Sequence, residues 1–178
     1  MFRGQSSDKP LLPKIGRLKG VSNIAQFEKE LINDFQKRYL AFSNKAYNNY
    51  WDLLALAQHF VLPTRLLDWS ESPLIALYFA TEYDTDDEFG VVWMFVPKNI
   101  DIVNSKEESP FATKSTKVFS PNHISERITA QKGWFTCHKL LDSGKFLHFK
   151  ILKIINQNLK KYKYLENYFL RLELNLIC

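Results

Sequence analysis

Arg65 and Asp68 stand three residues apart in HFVLPTRLLDWSE, residues 59–71, inside a run otherwise rich in leucine and other apolar side chains. A guanidinium and a carboxylate at that spacing have two uses. They can form a buried pair that braces the fold, of a kind that costs about 3–5 kcal/mol when one partner is removed. They can also face a ligand, with Arg65 taking a phosphate or other anion and Asp68 orienting it. Thr64 and Ser70 add hydroxyls, and Trp69 adds a ring on which a base or another planar group can stack. Gln58 and His59 lie just upstream. A histidine there suits proton transfer or phosphate binding, although histidines at helix ends more often cap the last carbonyls.

A second polar group opens the chain, FRGQ at residues 2–5. The planar fork of Arg3 matches a pyrophosphate, and Gly4 lets backbone or ligand approach closely. Gln5 can hydrogen-bond a ribose or a carboxamide, and is equally at home on an exposed strand. Arg3 has an internal use as well, an ion pair with Asp68 or Glu126. The histidines at 59, 123, 138 and 148 and the cysteines at 137 and 178 fall at no ligand spacing, so no metal site is expected.

The elements that must position these groups follow from periodicity. Asn23 and Gln26 form a capping pair, and Phe27, Leu31, Phe35 and Tyr39 recur every fourth residue, which predicts a helix to Phe42. Its charged face carries Glu28, Lys29, Asp34, Lys37 and Arg38. A second, buried helix is expected over Tyr50–Phe60, and Pro63 ends it and favours an extended TRLLDW. Ser72 caps a third helix with Pro73 at its first position, running to about Tyr83. GVVWMFV at 90–96 has strand length and composition. Residues 97–122 read as mostly irregular, ERITAQKGWFTCHK as extended, KFLHFKILKII as a strand, and the last 25 residues as a helix.

With 178 residues, 46% apolar and 15% aromatic, the chain has the length and composition of one globular domain with its own core. No apolar run is long enough to span a bilayer and no signal peptide opens the chain, so a cytoplasmic setting is expected. The net charge of +5 is modest. Its thickest cluster, KIINQNLKKYKY, reads first as a solvated face and second as a nucleic-acid contact.

Four blocks resemble the FRG domain: FRGQ at 2–5, ALAQHFVLPTRLLDWSESPLIALYFAT at 55–81, GVVWMFV at 90–96 and ERITAQKGWFT at 126–136. The second block is long and specific. The resemblance covers about residues 1–150, so the chain reads as a single FRG domain over 1–178 with a divergent segment at 151–178. It implies an ADP-ribosyltransferase-like α+β fold, with helices of the N-terminal half packed on a small, mostly antiparallel sheet. It also implies a bacterial protein that binds NAD or another nucleotide, with NAD as substrate and no metal, acting in phage defence or as a toxin. On that model Arg3 grips phosphate, while Gly4, Gln5, Gln58, His59, Thr64, Arg65, Trp69 and Ser70 belong to the binding side. The acid is less plainly marked. Where such a transferase places glutamate on its third strand, this chain has Gln131, and the carboxylate falls to Glu126, Glu71 or Asp68. The alternative is a module without catalysis that recognises nucleic acid or a protein partner.

Overall fold

Asn23 Oδ1 accepts from the Gln26 amide at 3.0 Å and starts the first helix, as the capping pair predicts. The chain is represented by a computed structural model that describes residues 1–42, 47, 49–82, 90–122, 133–146 and 152–156. In chain order the elements are β1 (Phe2–Gln5), α1 (Ile24–Phe42), α2 (Tyr50–His59), β2 (Leu66–Trp69), α3 (Pro73–Thr81), β3 (Gly90–Met94), β4 (Lys117–Phe119), β5 (Trp134–Cys137) and β6 (Leu152–Asn156). Three short 3₁₀ turns, at Lys14–Arg17, Asn99–Asp101 and Pro110–Ala112, complete the described set. The architecture is α+β.

The strands form two three-stranded antiparallel sheets where the sequence led to one. In the first, β3 is central and pairs with β1 and β6, with Arg3 opposite Trp93 and Gly4 opposite Val92. In the second, β5 is central and pairs with β2 and β4, with Asp68 opposite Phe135. A single bridge joins them: Phe2 N–H donates to Ser70 O at 2.7 Å, and Ser70 N–H returns to Phe2 O at 2.8 Å. That bridge brings FRGQ beside LLDWS.

Helix α2 packs on the second sheet. Trp51, Leu53, Leu54, Ala55 and Ala57 share a buried cluster with Leu66, Phe119, Phe135, Cys137 and Ile32 of α1. Asn49 caps α2 by accepting from the Asp52 amide at 2.9 Å. The buried Asp52 carboxylate in turn receives Asn49 Nδ2 at 2.8 Å, Lys106 Nζ at 2.7 Å and the Asn122 backbone and side-chain amides at 3.1 and 3.0 Å. Donors from Lys106 and Asn122 tie segment 97–122 to the helix, so that segment is irregular but anchored. It includes the strand β4 that sequence periodicity does not reveal.

Helix α3 lies on the first sheet at a separation that glycine alone allows. A Cβ on Gly4 would fall 1.8 Å from Ala76 O and 2.6 Å from Ala80 N, and one on Gly90 would fall 2.2 Å from Ala80 O. Two glycines on adjacent strands and two alanines on the helix therefore interlock backbone against backbone. Gly4 serves this helix packing with the space its missing side chain leaves.

On α1 the periodicity is right in kind and shifted in place. Phe27 is exposed, whereas Glu28 and Ile32 are fully buried. Glu28, assigned above to the solvent face, points inward because it sits four and seven residues before Ile32 and Phe35. Its carboxylate takes Arg65 Nη2 at 2.7 Å, Arg65 Nε at 2.8 Å and the Arg65 amide at 2.8 Å. Arg65 thus pairs with Glu28 and not with Asp68, because the alternation of β2 keeps Asp68 on an exposed edge. The guanidinium also lies 4.9 Å from the Phe111 ring centre.

The expected C-terminal helix falls outside the described residues from position 157 onward. So do residues 147–151 of the expected KFLHFKILKII strand, whose end forms β6.

Two substitutions test this framework. Gly4→Ala must push α3 off the sheet, and is expected to cost at least about 3 kcal/mol, the upper range for overpacking. Glu28→Gln keeps the shape but leaves a buried guanidinium uncompensated, with an expected cost of about 3–5 kcal/mol. Urea unfolding should show a lowered midpoint at unchanged slope for both, and a shift equivalent to less than about 1 kcal/mol would refute either account.

Candidate functional site

A cleft of about 610 Å³ opens where β1, β2, β5 and the ends of α2 and α3 meet, beside the Phe2–Ser70 bridge. Its size is that of a small-molecule site, within roughly 300–1,000 Å³. Both polar groups of the sequence converge on it. Arg3, Gly4, Gln5, Gln58, His59, Asp68, Trp69 and Ser70 all line it, and Gly133 and Trp134 close one side.

The walls are bound together by one hydrogen-bonded chain. Thr64 Oγ1 donates to Gln58 Oε1, and Gln58 Nε2 donates to Asp68 Oδ1. Arg3 Nη1 then donates to Asp68 O at 2.8 Å and reaches Asp68 Oδ2 at 3.3 Å. The expected internal pair of Arg3 with Asp68 is thus present, and Glu126 lies outside the described residues. Thr64 is buried beneath this wall, and neither it nor Arg65 lines the cleft. Their part is to hold the chain that does.

Two atoms at the cleft have no hydrogen-bond partner among the described residues, Arg3 Nε and Gln5 Oε1, although both are shielded from solvent. Gln5 Nε2 donates to Lys9 O at 3.1 Å, so its amide is oriented. Leaving buried polar atoms unpaired costs about 1–3 kcal/mol each. One is a donor and one an acceptor, on alternate residues of the same strand.

Trp69 differs from its expected use. Its ring is buried in a cluster with Leu11 and Leu67, and its Nε1–H donates to Thr136 Oγ1 at 2.9 Å. Trp69 lines the cleft but is only 3% exposed, because the alternation of β2 turns Leu67 and Trp69 inward together. The aromatic rings that line the cleft with more exposure are Phe79 and Trp134. Ser70 is also engaged, its Oγ accepting from the Ser72 amide at 3.0 Å at the start of α3.

The carboxylates lining the cleft among the described residues are Asp68 and Glu82. Asp68 is committed to Gln58 and Arg3, whereas Glu82 accepts from the Tyr78 hydroxyl at 3.4 Å among the described residues. Glu71 accepts from Trp134 Nε1 at 2.9 Å and does not line the cleft. Glu126 and Gln131 lie outside the described residues. Among the described residues no cluster of three or more His, Cys, Asp or Glu side chains has the arrangement to hold a metal ion, and no helix is long and apolar enough to cross a membrane.

Sequence reasoning passed over Glu82, Lys9, Arg17 and His138. The first three line the cleft directly. His138 is fully buried behind it, with Nε2 2.9 Å from Thr136 Oγ1. Trp69 Nε1 can only donate, so Thr136 Oγ1 accepts from it and has its own proton to give to a neutral His138. Burial, and then the Arg3 charge, push the imidazole down to about 3. Cys137 is held as a thiol, raised to about 12 chiefly by burial.

Residues 1–88 match the family model of the FRG domain. That stretch contains β1, the cleft-lining ends of α2 and α3, and the Arg3–Asp68 pair, so the FRG domain match takes in the residues that build this side of the cleft. No curated protein and no solved structure matches it.

The buried imidazole gives a stability signature with a definite sign. The unfolded chain takes up a proton on His138 below about pH 6.5, while the folded protein refuses it until about pH 3. Stability should therefore be present above pH 6.5 and fall as pH drops toward 3, by at most about 1.4 kcal/mol per pH unit from this group. His138→Gln should flatten that part of the profile in urea unfolding between about pH 7 and 4. Parallel wild-type and variant profiles would show that the imidazole is not held neutral.

Proposed function

We propose that the cleft binds a phosphate-bearing nucleotide of the NAD class, in an ADP-ribosyltransferase-like manner. The observation that carries this reading is the shielded, unpartnered pair at the end of the first strand, Arg3 Nε and Gln5 Oε1. A guanidinium N–H matches a phosphate oxygen, and an amide oxygen matches a ribose hydroxyl or a carboxamide N–H. The cavity volume, the partly exposed rings of Phe79 and Trp134, and the cationic Lys9 and Arg17 support the same ligand class. The FRG domain match over residues 1–88 supports the resemblance from which the NAD reading came, and a role in phage defence or as a toxin is part of the same proposal.

Cleavage of the glycosidic bond of NAD develops positive charge on the ribose, and a carboxylate near that carbon stabilises it. Glu82 is the cleft carboxylate with the fewest internal commitments, and Asp68 the one with the most. A second reading, binding without cleavage, draws on that commitment of Asp68.

Calorimetry with NAD tests binding, and loss of NAD on prolonged incubation tests cleavage. Wild-type protein should bind NAD, and Arg3→Ala should weaken it at least tenfold. Absence of both binding heat and NAD loss would sink the proposal.

A further inference from the structure

Arg17 is exposed and lines the cleft from a built-up support. Its 3₁₀ turn, Lys14–Arg17, is pinned by Ile15, whose side chain is fully buried and whose N–H donates to Thr64 O at 3.3 Å. Lys14 Nζ donates to Val61 O at 2.6 Å, and a Cβ on Gly16 would meet Phe146 Cδ2 at 2.7 Å, so the turn is held on both flanks. Arg17 Nε donates to Leu12 O at 2.8 Å, which fixes the near end of the guanidinium and leaves its two terminal nitrogens for other partners. No carboxylate pairs with it among the described residues.

The second guanidinium of the cleft belongs to Arg3. Both guanidiniums line the same cavity, and partial burial, and then the Arg3 charge, lower the proton affinity of Arg17. Holding like charges together in a partly desolvated cleft is unfavourable, and an anion between them reverses the sign of the interaction. One guanidinium and one phosphoryl group already make a matched pair. Two guanidiniums from different elements, with Lys9 also lining the cleft, match two linked phosphoryl groups.

We infer that Arg17 and Arg3 form a clamp for a diphosphate group, and that the cleft selects ligands carrying one over ligands with a single phosphate. The inference rests on the nucleotide reading for its biological ligand, but the clamp itself is testable without a nucleoside. Arg17 is a binding residue in this scheme, and Arg3 is shared between the clamp and Asp68.

Calorimetry on the full chain with inorganic pyrophosphate, inorganic phosphate, ADP, AMP and NAD separates the two ideas. Pyrophosphate should bind at least tenfold more tightly than phosphate, and ADP more tightly than AMP by a similar factor. Arg17→Gln should abolish both preferences, and Arg17→Lys should restore part of them, since it keeps the charge and loses the fork. Lys37→Gln removes the same unit of charge from an exposed site on α1 and should leave both preferences intact. Pyrophosphate preference without NAD binding would keep the clamp and overturn the NAD reading. NAD binding unchanged in Arg17→Gln, with no preference for ADP over AMP in the wild-type protein, would overturn the clamp and keep the reading. Equal loss in Lys37→Gln would reduce the effect to overall charge and overturn the clamp.

Discussion

The ion pair between Glu28 and Arg65 is the constraint on which the placement of the cleft depends. Both side chains are almost wholly removed from water, so the cost of desolvation is offset only because the geometry is complete. The carboxylate receives two guanidinium nitrogens and the Arg65 backbone amide, and a third nitrogen of Arg65 lies 3.4 Å from Pro110 O. One residue thereby fixes α1, the start of β2 and the turn at Pro110–Ala112. Since the Arg65 amide is itself a donor in the pair, the backbone entering β2 cannot rotate without breaking it. Thr64 precedes that fixed point and Asp68 follows it, and the chain from Thr64 through Gln58 to Asp68 inherits its register.

The other half of the cleft is set by contact distance and not by charge. Gly4 and Gly90 let α3 settle against the first sheet through Ala76 and Ala80, and this brings Phe79 and Glu82 to the cavity that Arg3 and Gln5 border. The Phe2–Ser70 bridge then joins the sheet carrying Arg3 to the sheet carrying Asp68. A packing constraint on one side and a buried ion pair on the other deliver their polar groups to the same space, from segments 65 residues apart.

Local order was legible from the sequence because its causes are local. The caps at Asn23 and Ser72, the breaks around Pro63 and Pro73, and the strand composition of GVVWM act within a few residues of themselves. Convergence of FRGQ with the Gln58–Ser70 stretch was legible through the family resemblance. The partner of Arg65 was not, since Glu28 lies 37 residues upstream and its charge suggested solvent. The position of Glu28 ahead of Ile32 and Phe35 was the one signal of its burial, and hydropathy outweighed it. Trp69 shows a related limit: alternation along β2 gives its face, but which face meets a ligand depends on the β2–β5 pairing. Arg17 sits in a stretch that reads as loop, and only the burial of Ile15 beside it turns that loop into a mount.

The hydrogen-bond geometry of Arg3 bears on how the cleft could exchange an internal partner for an external one. Its pair with Asp68 is partly exposed, with the carboxylate side chain 60% accessible, and such pairs contribute about 0–1 kcal/mol. The unpartnered Nε is shielded, and satisfying it recovers a larger amount, about 1–3 kcal/mol. An anion that reaches Nε therefore gains more than it displaces at Nη1. Asp68 meanwhile keeps Gln58, and the backbone carbonyl of Asp68 still holds Arg3 at 2.8 Å. The weak pair orients the guanidinium, and its weakness lets Asp68 Oδ2 give way to a stronger acceptor.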